Sequence, residues 1–377
     1  MEKLVFQPSD ESTIGVELEL ALVDADTFAL SSSIGEVIGN VPECHTCDIK
    51  PELMQCCVEI ATGVCSTVGE VEDDLRRKLV VLEGITDNLG LKLYWTGTHP
   101  FSRWQDQSPA PNERYERLLK ILQDTGRRLV TFGLHVHVGV DSGDKAVMIC
   151  DRIMRHLPTL LALSCNSPWW NNRLTGLHSN RSKIMEGLPT AGLPSLMRNW
   201  SEYVWLVNHM IETGFINSIR DLWWDVRPHY NFGTVEVRVC DMPGNLEDAL
   251  AIAALIQSLV RALSDEIDQG AYQHDCHPMM VRQNKWRAAR YGLGAQLVDT
   301  YTHTSRPARQ VVTDLTRKLR PAAEQLGCLH YLENAAEMAR RPSWSQRQVD
   351  AFRETGDLRA MIQRMTGQSR ISASALR

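Results

Sequence analysis

The stretch Gly15-Val16-Glu17-Leu18-Glu19-Leu20, inside residues 13–23, constrains the fold more than any other part of the chain. Ile14, Val16, Leu18, Leu20 and Leu22 alternate with Gly15, Glu17, Glu19 and Ala21, which is the period of two of a strand with one buried face. Glu17 and Glu19 therefore share the other face. At ~3.3 Å per residue their Cβ atoms lie roughly 7 Å apart, a spacing that suits one or two hard cations with oxygen ligands. Taken alone, the hexapeptide reads equally as an amphipathic edge strand with its glutamates in water. What changes the reading is the same design recurring elsewhere in the chain.

Glu52-Leu53-Met54-Gln55-Cys56-Cys57-Val58-Glu59-Ile60-Ala61-Thr62 has the branched character of a strand. Its odd separation would put Glu52 and Glu59 on opposite faces unless a bulge or an entering turn intervenes. A helix would bring the two together, and the sequence leaves that choice open. In residues 129–140, Val130, Phe132, Leu134, Val136 and Val138 form one face, and Thr131, Gly133, His135, His137 and Gly139 the other. Two histidines at i and i+2 between glycines point the same way into uncrowded space, a pattern that suits ligation or catalysis. Residues 221–228 and 233–241 form two more strands. In the second, Val235, Val237 and Val239 face the core, while Glu236 and Arg238 share the opposite side. A cross-strand ion pair is the plain alternative for those two.

Helices are expected between these strands. Val68, Val71, Leu75, Leu79, Leu82, Ile85 and Leu89 recur at three and four, closed by Gly90. Further helices are expected over residues 112–126, 146–163 and 195–212, and from Asn245 almost to the end. Residues 167–182, rich in Trp, Asn and Arg, read as a long loop that is poor core material, of the kind that is commonly a functional lid or disordered.

Partners are bounded by composition. With 46 acidic against 40 basic residues the net charge is -6, which argues against a nucleic-acid surface. There is no export signal at the N-terminus and no run of ~18 apolar residues, so a cytoplasmic protein off the membrane is expected. Ten cysteines at irregular spacing then read as reduced thiols. Cys44-His45-Thr46-Cys47 could be half of a zinc site, but no second CxxC follows, and free thiols are the expectation.

No Gly-rich phosphate loop follows a strand, which leaves out Rossmann and P-loop signatures. An α+β fold, with one open antiparallel sheet whose outer face is covered by helices, would gather Glu17, Glu19, Glu59, Glu236, His135, His137 and Arg238 on its free face. Carboxylates packed in this way repel one another unless cations neutralise them, so bound divalent metals are the economical explanation. Cations held by Glu and His beside arginines suit a nucleoside triphosphate, with Arg238, Arg227 or Arg181 taking developing phosphoryl charge.

These residues resemble the carboxylate–amine ligases of the second glutamate–cysteine ligase family, the YbdK-like group, in the glutamine synthetase-like superfamily. The resemblance runs from Gly15 to about Gly292. It rests on Gly15-Val16-Glu17-Leu18-Glu19, Glu52-Leu53-Met54-Gln55 with Val58-Glu59-Ile60-Ala61-Thr62, Gly97-Thr98-His99-Pro100, Asn112-Glu113-Arg114-Tyr115 and His135-Val136-His137-Val138-Gly139. Ser167-Pro168-Trp169-Trp170, Trp224-Asp225-Val226-Arg227-Pro228, the strand 233–241 and Trp286-Arg287-Ala288-Ala289-Arg290-Tyr291-Gly292 complete it. It implies a curved antiparallel sheet flanked by helices, and ATP- and Mg2+-dependent joining of an amino-acid carboxylate to an amine, with weak glutamate–cysteine ligase activity. By position, Glu17, Glu19, Glu52, Glu59, His135 and Glu236 would hold magnesium and Arg238 would meet the transferred phosphate, with His137 and Arg181 as further candidates. The family usually reads Gly-x-Asp-Thr where this chain has Asn172-Arg173-Leu174-Thr175, and has a basic residue where Asn231 stands. Those departures leave the expected metal ligands intact and bear on the choice of amino acids.

The implied mechanism has two steps: a carboxylate attacks the γ-phosphorus of ATP to give an acyl phosphate and ADP, and the amine then expels phosphate. The alternatives are a guanidino-kinase-like phosphotransferase that stops at the first step, and a non-catalytic nucleotide- or metal-binding member of the fold. One ligase domain is expected over residues 1–368, with a disordered tail over 369–377; a homodimer is compatible with this reading. Neutralising Glu17 or Glu236 is expected to remove most activity while leaving the fold intact and, by relieving repulsion, to favour folding slightly.

Overall fold

The computed structural model describes residues 4–271, 276–299 and 302–371. Its centre is a seven-stranded antiparallel sheet of β1 (Ile14–Asp24), β2 (Ile49–Pro51), β3 (Cys57–Ala61), β4 (Leu91–Tyr94), β5 (Gly133–Gly139), β6 (Val226–His229) and β7 (Thr234–Asp241). The order is β6-β7-β5-β1-β3-β2, and β4 pairs with the far end of β1 through Ala21 to Asp24. The long first strand is thus central, and the buried side chains of Ile14, Val16, Leu18, Leu20 and Leu22 fall on one face as their alternation requires.

That apolar face is backed by helices. Leu246–Asp268, capped by Asn245, is buried over most of its length and packs against β5. A helix apolar almost all round belongs inside a protein, and Gln257 ties it to the sheet by donating to the Ser12 carbonyl. Val68–Asn88 buries Val68, Val71, Leu75, Leu79 and Leu82 on one stripe, starts at the Thr67 cap and ends before Gly90 at φ 68°. Each such buried aliphatic side chain contributes about 1.5–3 kcal/mol. The core cluster is continuous from Ile14 to Ile371.

Several expected elements differ. The helix expected over 146–163 begins earlier and is divided, Gly143–Ile153 and then Leu157–Ser164 with Pro158 in its first turn, a position proline tolerates because that N–H has no helical partner. The helical C-terminal part is interrupted by a small hairpin, Gln296–Val298 with Ser305–Pro307. The loop 167–182 is largely interior, contrary to its composition: Ser167, Trp169, Trp170, Ser179 and Arg181 are buried, and a short helix occupies Arg181–Met185. Trp169–Trp170 pairs with Arg173–Leu174 across a turn that holds Asn171 and Asn172 at positive φ. Of the expected tail, Ser369 ends a helix, Ile371 is buried and its N–H donates to Glu83; residues 372–377 lie outside the described residues.

Candidate active site

The polar face is assembled by strand register. Glu17 stands opposite His135, Gly15 opposite His137, His137 opposite Glu236, and Glu236 opposite Arg227. On the other side of β1, Glu19 stands opposite Glu59. Glu52 precedes β3, and the turn at Gln55 and Cys56 separates it from the strand, so the chain doubles back and brings Glu52 beside Glu59 without a helix. Two groups result, Glu17 with His135 and Glu236, and Glu19 with Glu52 and Glu59; in each, one ligand atom per residue lies within 4.8 Å of the others. Neither involves Cys44 or Cys47, which are exposed free thiols.

Hydrogen bonds set the orientation within the first group. His135 Nδ1 donates to Glu17 Oε2 at 3.1 Å, leaving Nε2 free to face Glu19 at 3.8 Å. A carboxylate that fixes a histidine tautomer in this way presents the other nitrogen as a ligand. Burial, and then Arg238, hold the His135 pKa down at about 4, so its imidazole is neutral and able to ligate. His137 bonds Thr234 Oγ1 through Nδ1 at 3.0 Å, while its buried Nε2 lies 3.5 Å from Glu17 and 3.8 Å from Glu236 with no hydrogen-bond partner among the described residues.

The carboxylates fall into two electrostatic classes. Burial raises Glu236, but Arg227 and Arg238 override it and hold its pKa well below the usual range. Glu17 is likewise pulled low against burial by His135 and His137. Glu19 is pushed up to about 7 by burial and by Glu52, and Glu59 is raised well above the ordinary value by burial and by Glu17, Glu52 and Glu19. The second group therefore lacks positive charge. A hard divalent cation supplies what these oxygens lack, and the unpartnered His137 nitrogen beside Glu17 and Glu236 fits the same need.

A pH dependence follows. The folded state binds protons at Glu19, Glu59 and His137 more tightly than the unfolded chain does, so their contribution to stability is present at low pH and lost as pH rises through the folded pKa values. His135, moved from 6.5 to about 4, acts in the opposite direction but only below pH 6.5. Protein held in chelator is therefore expected to melt at progressively lower temperature above pH 6.5, and magnesium is expected to restore the loss. Equal thermal melts across that range would contradict an uncompensated carboxylate cluster.

The arginines occupy distinct places. Arg227 is buried and its donors are taken: Nε donates to Glu236 at 2.6 Å, and Nη1 to the carbonyls of Ile219 and Leu222. This geometry holds Glu236 in place, and the expectation that Arg227 meets a phosphate finds no free donor on Nε or Nη1. Arg238 sits at a bulge between Val237 and Cys240 and pairs with Glu236, with Nη1 3.4 Å from His135. The extra residue turns Cys240 into the core, whereas an uninterrupted period of two would put it on the same face as Arg238. Arg181 comes from the short helix and lies directly over Gly133, where an added Cβ would be 2.1 Å from its Nη2; its buried Nε has no partner among the described residues.

Two positioning groups escaped sequence reasoning. Asp241, at the end of β7, is wholly buried; Oδ2 accepts from the Asn166 N–H and Ser167 Oγ, and Oδ1 from Ser179 Oγ. It draws both ends of the Trp-rich segment onto the sheet and so delivers Arg181. A Cβ on Gly97 would lie 2.9 Å from Asp241 Cγ, which accounts for the glycine of the Gly97-Thr98-His99-Pro100 motif. Lys285, also buried, bridges Asp225 at 2.5 Å and Glu186 at 2.8 Å. Leu174 and Asn231 are exposed.

A helix-backed antiparallel sheet that collects carboxylates, histidines and arginines on its free face has the architecture of the glutamine synthetase-like carboxylate–amine ligases. The fold is shared with the crystal structure of a glutamate–cysteine ligase from Francisella tularensis in complex with AMP, at a TM-score of 0.71 and 14% identity over 98% of this chain and 92% of that one. It is also shared with a bifunctional glutathione synthetase from Pasteurella multocida, at a TM-score of 0.71 and 15% identity over 95% of this chain and 52% of that one. The chain belongs to glutamate–cysteine ligase family 2, whose model spans residues 13–364, and is with that family an ATP-dependent carbon–nitrogen ligase. A Thermobifida fusca (strain YX) protein named as a candidate glutamate–cysteine ligase 2 is 38% identical over 98% of this chain and 94% of its own length. A Frankia casuarinae relative named as a candidate glutamate–cysteine ligase 2-1 is 40% identical over 94% of each. No helix among the described residues is long and apolar enough to cross a membrane.

Proposed function

We propose that the chain joins a substrate carboxylate to an amine through an acyl phosphate, using ATP and magnesium, with glutamate and cysteine as the pair that its relatives' names suggest. The observation that carries this reading is the pair of ligand groups, Glu17 with His135 and Glu236, and Glu19 with Glu52 and Glu59, next to arginines on one sheet face. Magnesium, when bound by these residues, supplies the positive charge that neutralises and aligns phosphate oxygens.

The chain's own residues do the rest. Arg238 neutralises the phosphoryl group as the carboxylate oxygen bonds to the γ-phosphorus and the bond to the ADP oxygen breaks. Arg181 adds charge from the roof, and Arg227 keeps Glu236 ionised and aimed. The amine then bonds to the acyl carbon and phosphate leaves; the proton released goes to a carboxylate of the face or to the departing phosphate.

The test is a screen of amino acids and amines for phosphate release from ATP, with the nucleotide product identified by chromatography. ADP formed only when acid, amine and magnesium are all present is the expected result. AMP would overturn the acyl-phosphate route, ADP formed without amine would make the chain a phosphotransferase, and no turnover with any pair would leave a non-catalytic binding member of the fold.

A further inference from the structure

The charged face has two unlike ends. Toward Glu19 it is crowded with phosphate-seeking groups: the Arg181 guanidinium covers Gly133, and Arg181 and Arg238 both act on the Glu19 carboxylate. Past His137, at the opposite end, charge gives way to bare backbone and rings. A Cβ added to Gly15 would make only ordinary contact, 3.8 Å from the His137 Cβ and 4.0 Å from the Thr62 hydroxyl.

One ring stands over this bare end. Phe232 is 58% exposed, yet it is held firmly. It stacks on His229 with ring centroids 4.2 Å apart and planes 12° from parallel, and both rings meet the edge of His137, at 5.5 Å from His229 and 5.7 Å from Phe232. The turn that carries it is pinned: Gln7 N–H donates to the Tyr230 carbonyl, and Gly233, at φ 63°, packs so closely that a Cβ would lie 2.0 Å from the Gln7 carbonyl oxygen. A rigid, open aromatic face next to a polyanion-binding surface is how proteins receive a base attached to phosphates.

We propose that Phe232, backed by His229, is the wall on which the nucleotide's base stacks, with Gly15 leaving the floor beside His137 clear. The phosphates then run from His137 toward Arg238 and Arg181, and the transferred group lies at the far end. The proposal rests on the ATP-dependent reading above. It assigns base binding to a single exposed side chain outside the metal and phosphate ligands.

The experiment compares equilibrium binding of ATP and of inorganic tripolyphosphate, each with magnesium and without acid or amine, to the wild-type protein, Phe232→Ala and Phe232→Tyr. Base–aromatic stacking leads us to expect ATP binding to weaken about tenfold or more in Phe232→Ala, with tripolyphosphate binding unchanged and ATP binding recovered in Phe232→Tyr. Unchanged ATP affinity in Phe232→Ala would overturn the proposal. So would an equal loss for both ligands, which would mean that the ring supports the phosphate face instead of the base. Wild-type protein that binds neither ligand would remove the ATP reading itself, a result distinct from either of these.

Discussion

Glu17→Gln and Glu59→Gln are each expected to lower magnesium-dependent turnover by about two to three orders of magnitude, the usual loss when one preorganised electrostatic group is removed from a site of charge transfer, while moving stability in different directions. Glu59 is a carboxylate that its surroundings resist ionising, through burial and Glu17, Glu52 and Glu19. Its neutral replacement should therefore raise the melting temperature of metal-free protein above pH 6.5 and remove most of the gain on adding magnesium. Glu17 is held ionised, against burial, by His135 and His137, so Glu17→Gln should leave the metal-free protein slightly less stable. Glu236 behaves differently from both. It is buried between Arg227 and Arg238, and neutralising it leaves the buried Arg227 and the half-buried Arg238 without their shared anion, a change that typically costs about 3–5 kcal/mol. The expectation that neutralising Glu17 or Glu236 would favour folding by relieving repulsion is thus reversed at both, and relief of repulsion is expected at Glu59 instead. Thermal melts with and without magnesium, alongside ATP turnover, separate these cases; full turnover in excess chelator would retire the metal site altogether.

Asp241→Ala is expected to destabilise the protein by about 3–5 kcal/mol, since it leaves a buried backbone N–H and two buried hydroxyls without their acceptor and opens a void. Asn166, Ser167 and Ser179 all converge on this one carboxylate, and they tie the Trp169–Trp170 hairpin and the helix bearing Arg181 to the end of β7. The damage should therefore reach the site, with turnover falling even under conditions where the variant remains folded. Asp241→Asn is the informative partner. Its amide oxygen can accept from Asn166 and Ser167 while its NH2 donates to Ser179, so a loss of only about 1 kcal/mol is expected, the net worth of one ordinary hydrogen bond. Urea denaturation measures both; an Ala variant within that small margin of wild type would show that the segment is anchored elsewhere.

What the sequence determined alone is the local periodicity and the residues it carries. Alternation in residues 13–23 places Glu17 and Glu19 together because side-chain direction in a strand repeats every two residues, whatever the partner. The same rule reads His135 with His137, and the three-and-four spacing reads Val68–Asn88 as a helix. The ordered motifs then point to the family, and with it to the sheet and its chemistry.

Tertiary structure decided everything that depends on partners distant in the chain. Register, a pairing between strands, put Glu19 opposite Glu59 and His137 opposite Glu236. The turn at Gln55 and Cys56 settled how Glu52 joins Glu59, and the bulge at Arg238 reversed the phase of Cys240, a local kink that period-two counting cannot foresee. Residues 167–182 look too polar for the interior, because composition counts each Ser, Asn and Arg as a cost. Inside the fold, Asp241 accepts from the Ser167 and Ser179 hydroxyls, and a polar group whose hydrogen bond is met can be buried. The place of Phe232 was likewise invisible in sequence: an exposed phenylalanine in a turn acquires meaning only when His229 lies behind it and His137 of the sheet's polar face lies alongside.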